Sequence, residues 1–223
     1  PEVTLGKRCA GLNLKDPSDR AQFETLLATA DILLHGYRPG ALDALGYSQE
    51  QRHALNPRLI DVSLCAYGFS GPWASRRGFD SLVQMSCGIA AWGMQHAESA
   101  KPSPLPVQAL DHATGYLVAA ATMRALRARR LHNQIFSAQL SLARTGLLLS
   151  STKGNQLLRA NRRKISAPAA SDYSDWVEET SWGEARRLRY PAGISGAQVV
   201  QMKWQRPAQR LRTSKAEWLK PLN

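Results

Sequence analysis

The residues best suited to chemistry form an ordered series along the chain. Asp111 stands in Leu110-Asp111-His112-Ala113-Thr114-Gly115, at the start of the longest helix signal. A carboxylate there is a usable covalent nucleophile, provided it is held ionised and partly desolvated. A helix N-terminus favours its charged form. The same position also suits an aspartate that only caps the helix, so the residue alone leaves chemistry and capping both open. Upstream, two glycine-bearing loops each follow a short apolar run: His35-Gly36-Tyr37-Arg38-Pro39-Gly40-Ala41-Leu42 and Tyr67-Gly68-Phe69-Ser70-Gly71-Pro72. Gly68 and Gly71 would let backbone amides approach a developing oxyanion. Other chemistries lack their signatures. There is no GxGxxG or Walker sequence, and Ser70 lacks the full GxSxG elbow. His35, His53, His96, His112 and His132 are scattered without metal-ligand spacing and read as surface or packing residues. No metal is expected. Cys9, Cys65 and Cys87 are odd in number and far apart, which indicates reduced thiols rather than a disulfide or zinc site.

These residues need elements to place them. Asp16-Pro17-Ser18-Asp19 reads as a helix start, with Phe23, Leu26, Leu27 and Ala30 recurring at helical spacing behind it. Leu12-Asn13-Leu14 before it reads as the end of a strand. Ile32–Leu34 and Leu59–Leu64 are short apolar runs of the buried-strand kind, separated by a helix over Ser48–Leu55 that stops at Asn56-Pro57. Strand, loop, helix, strand is the rhythm of a parallel sheet. In such sheets ligands bind on the loops that follow the carboxyl ends of strands, which puts Tyr37–Gly40 and Tyr67–Trp73 on the working edge. The spacing predicts a helix over Phe79–Ala91 and a long one over Asp111–Arg129 with Tyr116, Ala119, Met123 and Leu126 on its apolar stripe. A strand over Gln139–Leu142 and a helix over Thr145–Leu158 follow. Residues 1–160 read as one α/β domain. Residues 161–223 read as an irregular segment with short elements, packing on that domain or on a dimer partner.

The bulk numbers narrow the classes. The chain has 223 residues, 43% of them apolar and 7% aromatic, enough for a core dominated by aliphatic and alanine packing. No apolar run reaches membrane-span length, and no signal peptide opens the chain. A cytoplasmic protein with no membrane partner is expected. Pro1 in place of an initiator reads as the start of a fragment. The net charge is +12, unevenly spread: no acidic residue lies between Asp111 and Asp172, while 124–164 holds ten basic ones. A block of this kind favours an anionic partner or is a solvated face. It keeps a nucleic-acid-binding reading open, against which stands the lack of RRM, KH or helix-turn-helix signatures and of interleaved aromatics.

The combination of motifs is more specific than any member. The two loops above are followed by Arg77-Gly78-Phe79-Asp80-Ser81-Leu82-Val83-Gln84, then by Pro106-Val107-Gln108-Ala109-Leu110-Asp111-His112-Ala113-Thr114-Gly115. In this order and spacing, with Gly6-Lys7-Arg8 and Leu12-Asn13-Leu14-Lys15 at the front, the chain resembles the class III CoA-transferases, the CaiB/BaiF family. The resemblance runs from about Gly6 to Leu149. It implies an α/β fold with a Rossmann-like parallel sheet flanked by helices, present in part. It implies coenzyme A and acyl-CoA as substrates, a carboxylic acid as acceptor, and a homodimer. Asp111 falls at the position of the nucleophile that forms a mixed aspartyl-acyl anhydride. By the same carry-over Arg8 resembles an arginine that contacts the nucleotide end of CoA. Tyr37, Arg38, Leu45, Tyr67 and Gly68 fall where the family lines its CoA site. A further CoA-contacting arginine of some members is Ala44 here, and Gln84 is readable as structural. The family's N-terminal strand and loop are absent, Asn133–Leu142 lacks the glycines of the usual GxGQxVDVSL, and no glycine-rich covering loop follows Leu158. A catalytically silent relative with a binding or structural role is the alternative those departures favour.

Overall fold

The computed structural model describes residues 2–151, 167–189 and 206–219. They fall into two compact units, Glu24–Asn161 and Pro1–Phe23 with Arg162–Asn223. The chain passes between them at Phe23/Glu24 and again at Asn161/Arg162.

The larger unit is an α/β layer of the expected class. Its sheet is parallel, in the order β1 (Ile32–His35), β2 (Ile60–Cys65), β3 (Ala138–Ser141). Ile32 lies opposite Ile60, and Val62 opposite Ala138. The central strand is buried along nearly all its length. Its two faces do different work, because side chains alternate. Ile60 and Val62 pack against Val118 and Ala125 of the long helix α5 (Ala109–His132), with Ile32, Leu64 and Leu140 at the margin. Each such fully buried side chain contributes about 1.5–3 kcal/mol of burial. Asp61 and Ser63 occupy the opposite face, where Asp61 is neutralised by Arg52 of α2 (Gln49–Leu55). Helix α2 begins with a reciprocal Ser48–Gln51 capping box. Asn56 ends it and gives its side-chain amide to the carbonyls of Leu27 and Ala30.

Three expectations need correction. Phe79–Ala91 is two helices, α3 (Asp80–Ser86) and α4 (Ile89–His96), because Gly88 between them takes φ +85°, outside the helical region. The buried stripe of α5 is Leu110, Thr114, Val118 and Ala125; Tyr116 and Met123 are exposed. Its partners choose that stripe: Val118 and Ala125 lie on β2, while Thr114 meets α6 (Leu142–Ser151), its hydroxyl 2.8 Å from that of Thr145. Leu12–Leu14 is not strand. The Asn13 amide donates to the Asp19 carboxylate, and its carbonyl accepts from Asp16, so this backbone is spent on the turn into α1 (Pro17–Thr29). The expected helix over Thr145–Leu158 is seen through Ser151; its remainder lies outside the described residues.

In the smaller unit, β4 (Tyr173–Thr180) and β5 (Gly183–Leu188) form an antiparallel hairpin within the segment read as irregular, with Glu178 and Arg187 paired across it. The 206–219 segment runs beside the chain's first residues: Arg206 accepts from Gly6, and Cys9 accepts from Ser214. No described helix is long and apolar enough to cross a membrane.

Candidate active site

The sheet has one edge where β1 and β2 end, and the long helix brings Asp111 to it. Arg129, near the other end of α5, donates to the carbonyls of Asp31 and Arg58, which precede β1 and β2, and pairs with the Asp31 carboxylate at 2.6 Å. The C-terminal end of α5 therefore lies at the amino edge of the strands. A helix of 24 residues spans about 36 Å, so its N-terminus reaches the carboxyl edge. Leu110 anchors it there, fully buried among Ala66, Val83 and Leu142.

What holds the start of α5 is a carboxylate from another helix. Asp80 is wholly buried, and one of its oxygens accepts from the amides of Leu110 (2.7 Å) and Asp111 (2.9 Å). Its other oxygen accepts from the Gln84 side-chain amide. Gln84 sits one turn later on the same face of α3. It also donates to the Val107 carbonyl and accepts from the Leu105 amide, so it ties down the loop that leads into α5. Asp80 and Gln84 are the residues that sequence reasoning undervalued. Their four-residue spacing in Gly78-Phe79-Asp80…Gln84 was the available signal.

This arrangement reverses the expected effect of the helix end on Asp111. The free amides that would favour a charged Asp111 are claimed by Asp80. Partial burial of the Asp111 carboxyl, then the negative charge of Asp80, raise its pKa above the usual carboxylate value; His112 opposes them. The residue as a whole is exposed. The result is a reachable carboxylate of raised basicity.

The two loops stand at the same edge. After β2, the Cys65 thiol accepts from the Gly68 amide at 3.2 Å; Gly68 and Gly71 both take positive φ. Burial pushes the Cys65 thiol pKa up, which suits an inert packing thiol. Tyr67 spans the gap to α3: its hydroxyl is 2.9 Å from that of Ser86, and its ring meets Trp73 edge-on at 5.1 Å. Arg76 lies over Trp73 at 4.3 Å. Gly78 is required here, since a Cβ would stand 2.8 Å from Ala66 Cβ and 3.0 Å from the Tyr67 ring. The Ala66 carbonyl accepts from Ala143, which joins this loop to α6. After β1, Tyr37 and Arg38 are exposed on the turn, and Leu45 ends a short 3-10 segment, half-buried.

Six of the seven sequence-derived site residues thus belong to one unit: Asp111, Tyr37, Arg38, Leu45, Tyr67 and Gly68. Arg8 belongs to the other, where its guanidinium donates to the carbonyl of Glu217 at 2.7 Å and lies 3.6 Å from that residue's carboxylate. His35, read as a surface or packing residue, is of the packing kind, buried beside Asp61. Among the described residues no cluster of three or more His, Cys, Asp or Glu could hold a metal ion.

Comparison with known proteins gives a consistent result. The profile of CoA-transferase family III matches residues 2–176. A probable fatty acyl-CoA transferase of Mycobacterium tuberculosis, Rv3272, is 32% identical over 161 residues, covering 72% of this chain and 40% of that protein. Its crystal structure superposes with a TM-score of 0.62 at 29% identity, covering 79% of this chain and 46% of that one. The acetyl-CoA:oxalate CoA-transferase of Acetobacter aceti is 42% identical over 87 residues, 39% of this chain and 22% of that protein. A CAIB/BAIF family protein from Brucella suis superposes with a TM-score of 0.59 at 25% identity, covering 81% of this chain and 48% of that one. The chain spans less than half the length of these relatives.

Proposed function

We propose, from the premise that this chain belongs to CoA-transferase family III, that it moves coenzyme A between carboxylic acids with Asp111 as the nucleophile. The observation that carries the reading is the setting of Asp111: an exposed carboxylate of raised basicity on a helix end fixed by Asp80, at the carboxyl edge of a parallel sheet. Ligands bind at that edge in sheets of this kind.

The chemistry follows from the groups present. The ionised Asp111 carboxylate attacks the thioester carbonyl, the C–S bond breaks, and coenzyme A leaves as thiolate. The product on the protein is a mixed aspartyl-acyl anhydride. An incoming carboxylate attacks the aspartyl carbonyl and expels the first acid, which leaves an anhydride with the new acyl group. The thiolate then attacks that acyl carbon, giving the new thioester and freeing Asp111. No proton is gained or lost overall. Raised basicity helps the first step, because nucleophilicity rises with pKa while the group stays ionised.

The remaining residues have supporting roles in this reading. Tyr37, Arg38 and Leu45 line one wall for coenzyme A, and Tyr67 and Gly68 the other. Arg38 forms no ion pair among the described residues, which leaves its charge for a phosphate. Arg8 is proposed for the nucleotide end. We take the 1–160 domain, the homodimer and the cytoplasmic setting as further parts of the same proposal. The two named relatives differ in the acids their names give, fatty acyl and oxalate, so the acceptor is left at the class of carboxylic acids.

The test is chemical trapping. Incubation with a panel of acyl-CoA thioesters followed by hydroxylamine converts an aspartyl anhydride to a hydroxamate, read by mass spectrometry. A hydroxamate on Asp111, missing from Asp111→Asn, is the expected result. Coenzyme A binding with no adduct from any donor would replace this reading by that of a silent relative.

A further inference from the structure

We infer that His35 is a positioning residue for the turn Tyr37–Gly40, one that closes onto Asp61 and takes up a proton when coenzyme A occupies that turn. The inference rests on the reading of the turn as a wall of the coenzyme A site. It is argued from a buried polar cluster that the proposed reaction does not use.

His35 is the last residue of β1, two positions before Tyr37. It shares a sheet face with Asp61, as the register places Leu33 opposite Asp61 and His35 opposite Ser63. Its side chain is only 11% exposed, and neither ring nitrogen has a hydrogen-bond partner. The Asp61 Oδ1 oxygen lies 3.8 Å from Nε2, and that oxygen is also buried without a partner. Buried polar groups are nearly always bonded, so an unfilled pair of this kind calls for an explanation.

The partners of Asp61 decide which side can move. Asp61 Oδ2 accepts from Arg52 Nε at 2.9 Å and Nη2 at 2.6 Å, and Arg52 Nη1 donates to the Tyr47 carbonyl at 2.6 Å. The carboxylate is therefore clamped on the central strand. His35 stands at the end of an edge strand and stacks on Tyr37 at 6.0 Å. A ligand that presses on Tyr37 pushes the imidazole. A charge-assisted bond needs about 2.7–2.9 Å, so a shift of roughly 1 Å completes it.

The charges around the ring set the proton balance. Burial acts most strongly and lowers the pKa of the free imidazole. Asp61 and, more weakly, Asp43 favour the proton, while Arg52 opposes it. Closure onto Asp61 strengthens the largest favourable charge and adds a hydrogen bond. The proton bound on closure then makes coenzyme A affinity depend on pH.

Titration calorimetry of coenzyme A binding to the full chain, in buffers of different ionisation enthalpy between pH 5.5 and 8, measures this directly. His35→Asn serves as the reference, because coenzyme A's own phosphate ionises in both. The expected result is extra proton uptake by the unsubstituted chain, with an affinity that weakens on raising the pH by up to about tenfold per pH unit more than in the variant. NMR of the His35 ring gives a reading that needs no variant: it should titrate below an ordinary histidine in the free chain and move upward with coenzyme A bound. Equal proton uptake in both proteins, or a ring that titrates identically with and without coenzyme A, overturns the inference while leaving the transferase reading in place. No coenzyme A binding by the unsubstituted chain overturns both.

Discussion

Asp80→Ala is the most informative single change, since it removes the group that holds the start of α5 without touching the proposed nucleophile, Asp111. It strips the acceptor from three donors at once: the Leu110 amide, the Asp111 amide and the Gln84 side chain. The three losses are unequal. Leu110 is wholly buried and bears the full cost of an unpaired amide, about 1–3 kcal/mol. The Asp111 amide can turn to water, and Gln84 keeps its bond to the Val107 carbonyl. The sum comes to about 3–5 kcal/mol, a large part of the roughly 5–15 kcal/mol a native domain has. For a chain of this size that corresponds to a fall in Tm of about 10 °C. Asp80→Asn is milder, at about 1–2 kcal/mol: its oxygen still serves the two backbone amides, but its NH2 now meets the Gln84 donor. The Asn variant also removes the negative charge that raises the Asp111 pKa, so the Asp111 carboxyl should titrate lower. Thermal denaturation of both variants and carbon NMR of the Asp111 carboxyl in Asp80→Asn check the two halves. A Tm within about 2 °C of the parent for Asp80→Ala, or an unmoved Asp111 titration, would refute the account of how this helix end is held.

Other outcomes follow from the same geometry. Asp111→Asn should stabilise the chain at neutral pH. The folded-state pKa of Asp111 is raised, so the folded protein holds the proton where the unfolded chain has lost it; the stability Asp111 contributes at low pH is lost as pH rises above 3.8, and the variant has no such loss. Urea titrations of both proteins at pH 4 and pH 7 should show the gap opening at the higher pH. Gly78→Ala places a methyl 2.8 Å from Ala66 and 3.0 Å from the Tyr67 ring. A loss of about 1–3 kcal/mol from overpacking is expected, together with slower Asp111 adduct formation, measured by denaturation and hydroxylamine trapping. Arg129→Met deletes two bonds to carbonyls and a pair to Asp31 from a largely buried guanidinium. It should cost about 2–3 kcal/mol, whereas an arginine serving only a basic outer face would leave urea stability unchanged.

Much of the larger unit was legible because its signals are local. Ile32–Leu34 and Leu59–Leu64 are apolar runs, Ser48 and Gln51 stand at capping spacing, and Asn56-Pro57 breaks the helix where it ends. The misreadings came where a distant partner decides. The hydropathy of α5 points to Tyr116 and Met123, but its distant partners select the buried face: β2 covers Val118 and Ala125, and α6 meets Thr114. Gly88 splits an apolar stretch because of its backbone conformation, which residue type alone does not report. At the site, the order of motifs singled out Asp111 but not what surrounds it. Asp80 looks like an ordinary acid in the first turn of α3; its bonds to Leu110 and Asp111 join residues about thirty positions apart. His35 looked like one scattered histidine among five, and only the strand register sets it beside Asp61.

The exposure of Asp111 bears on the fate of any anhydride formed there. An anhydride is attacked by water as well as by carboxylate, and active sites that carry reactive acyl intermediates keep water out. Within the described residues the proposed nucleophile, Asp111, is positioned but not sheltered. The helix start that carries it is fixed by Asp80, and the loops after β1 and β2 leave the same edge of the sheet. The expectation is leakage. Given an acyl-CoA and no acceptor acid, the chain should release free acid and coenzyme A, and Asp111→Asn should not. Adding an acceptor should divert part of this flux to the new thioester, in proportion to its concentration and without saturation, because an open site captures acceptor from solution. Chromatography of thioesters and free acids over an acceptor series measures the partition. Hydroxylamine trapping on Asp111 with no free acid released would overturn the argument. It would mean that the anhydride is shielded by groups other than those that fix the helix end, so that positioning and shelter are supplied by different parts of the protein.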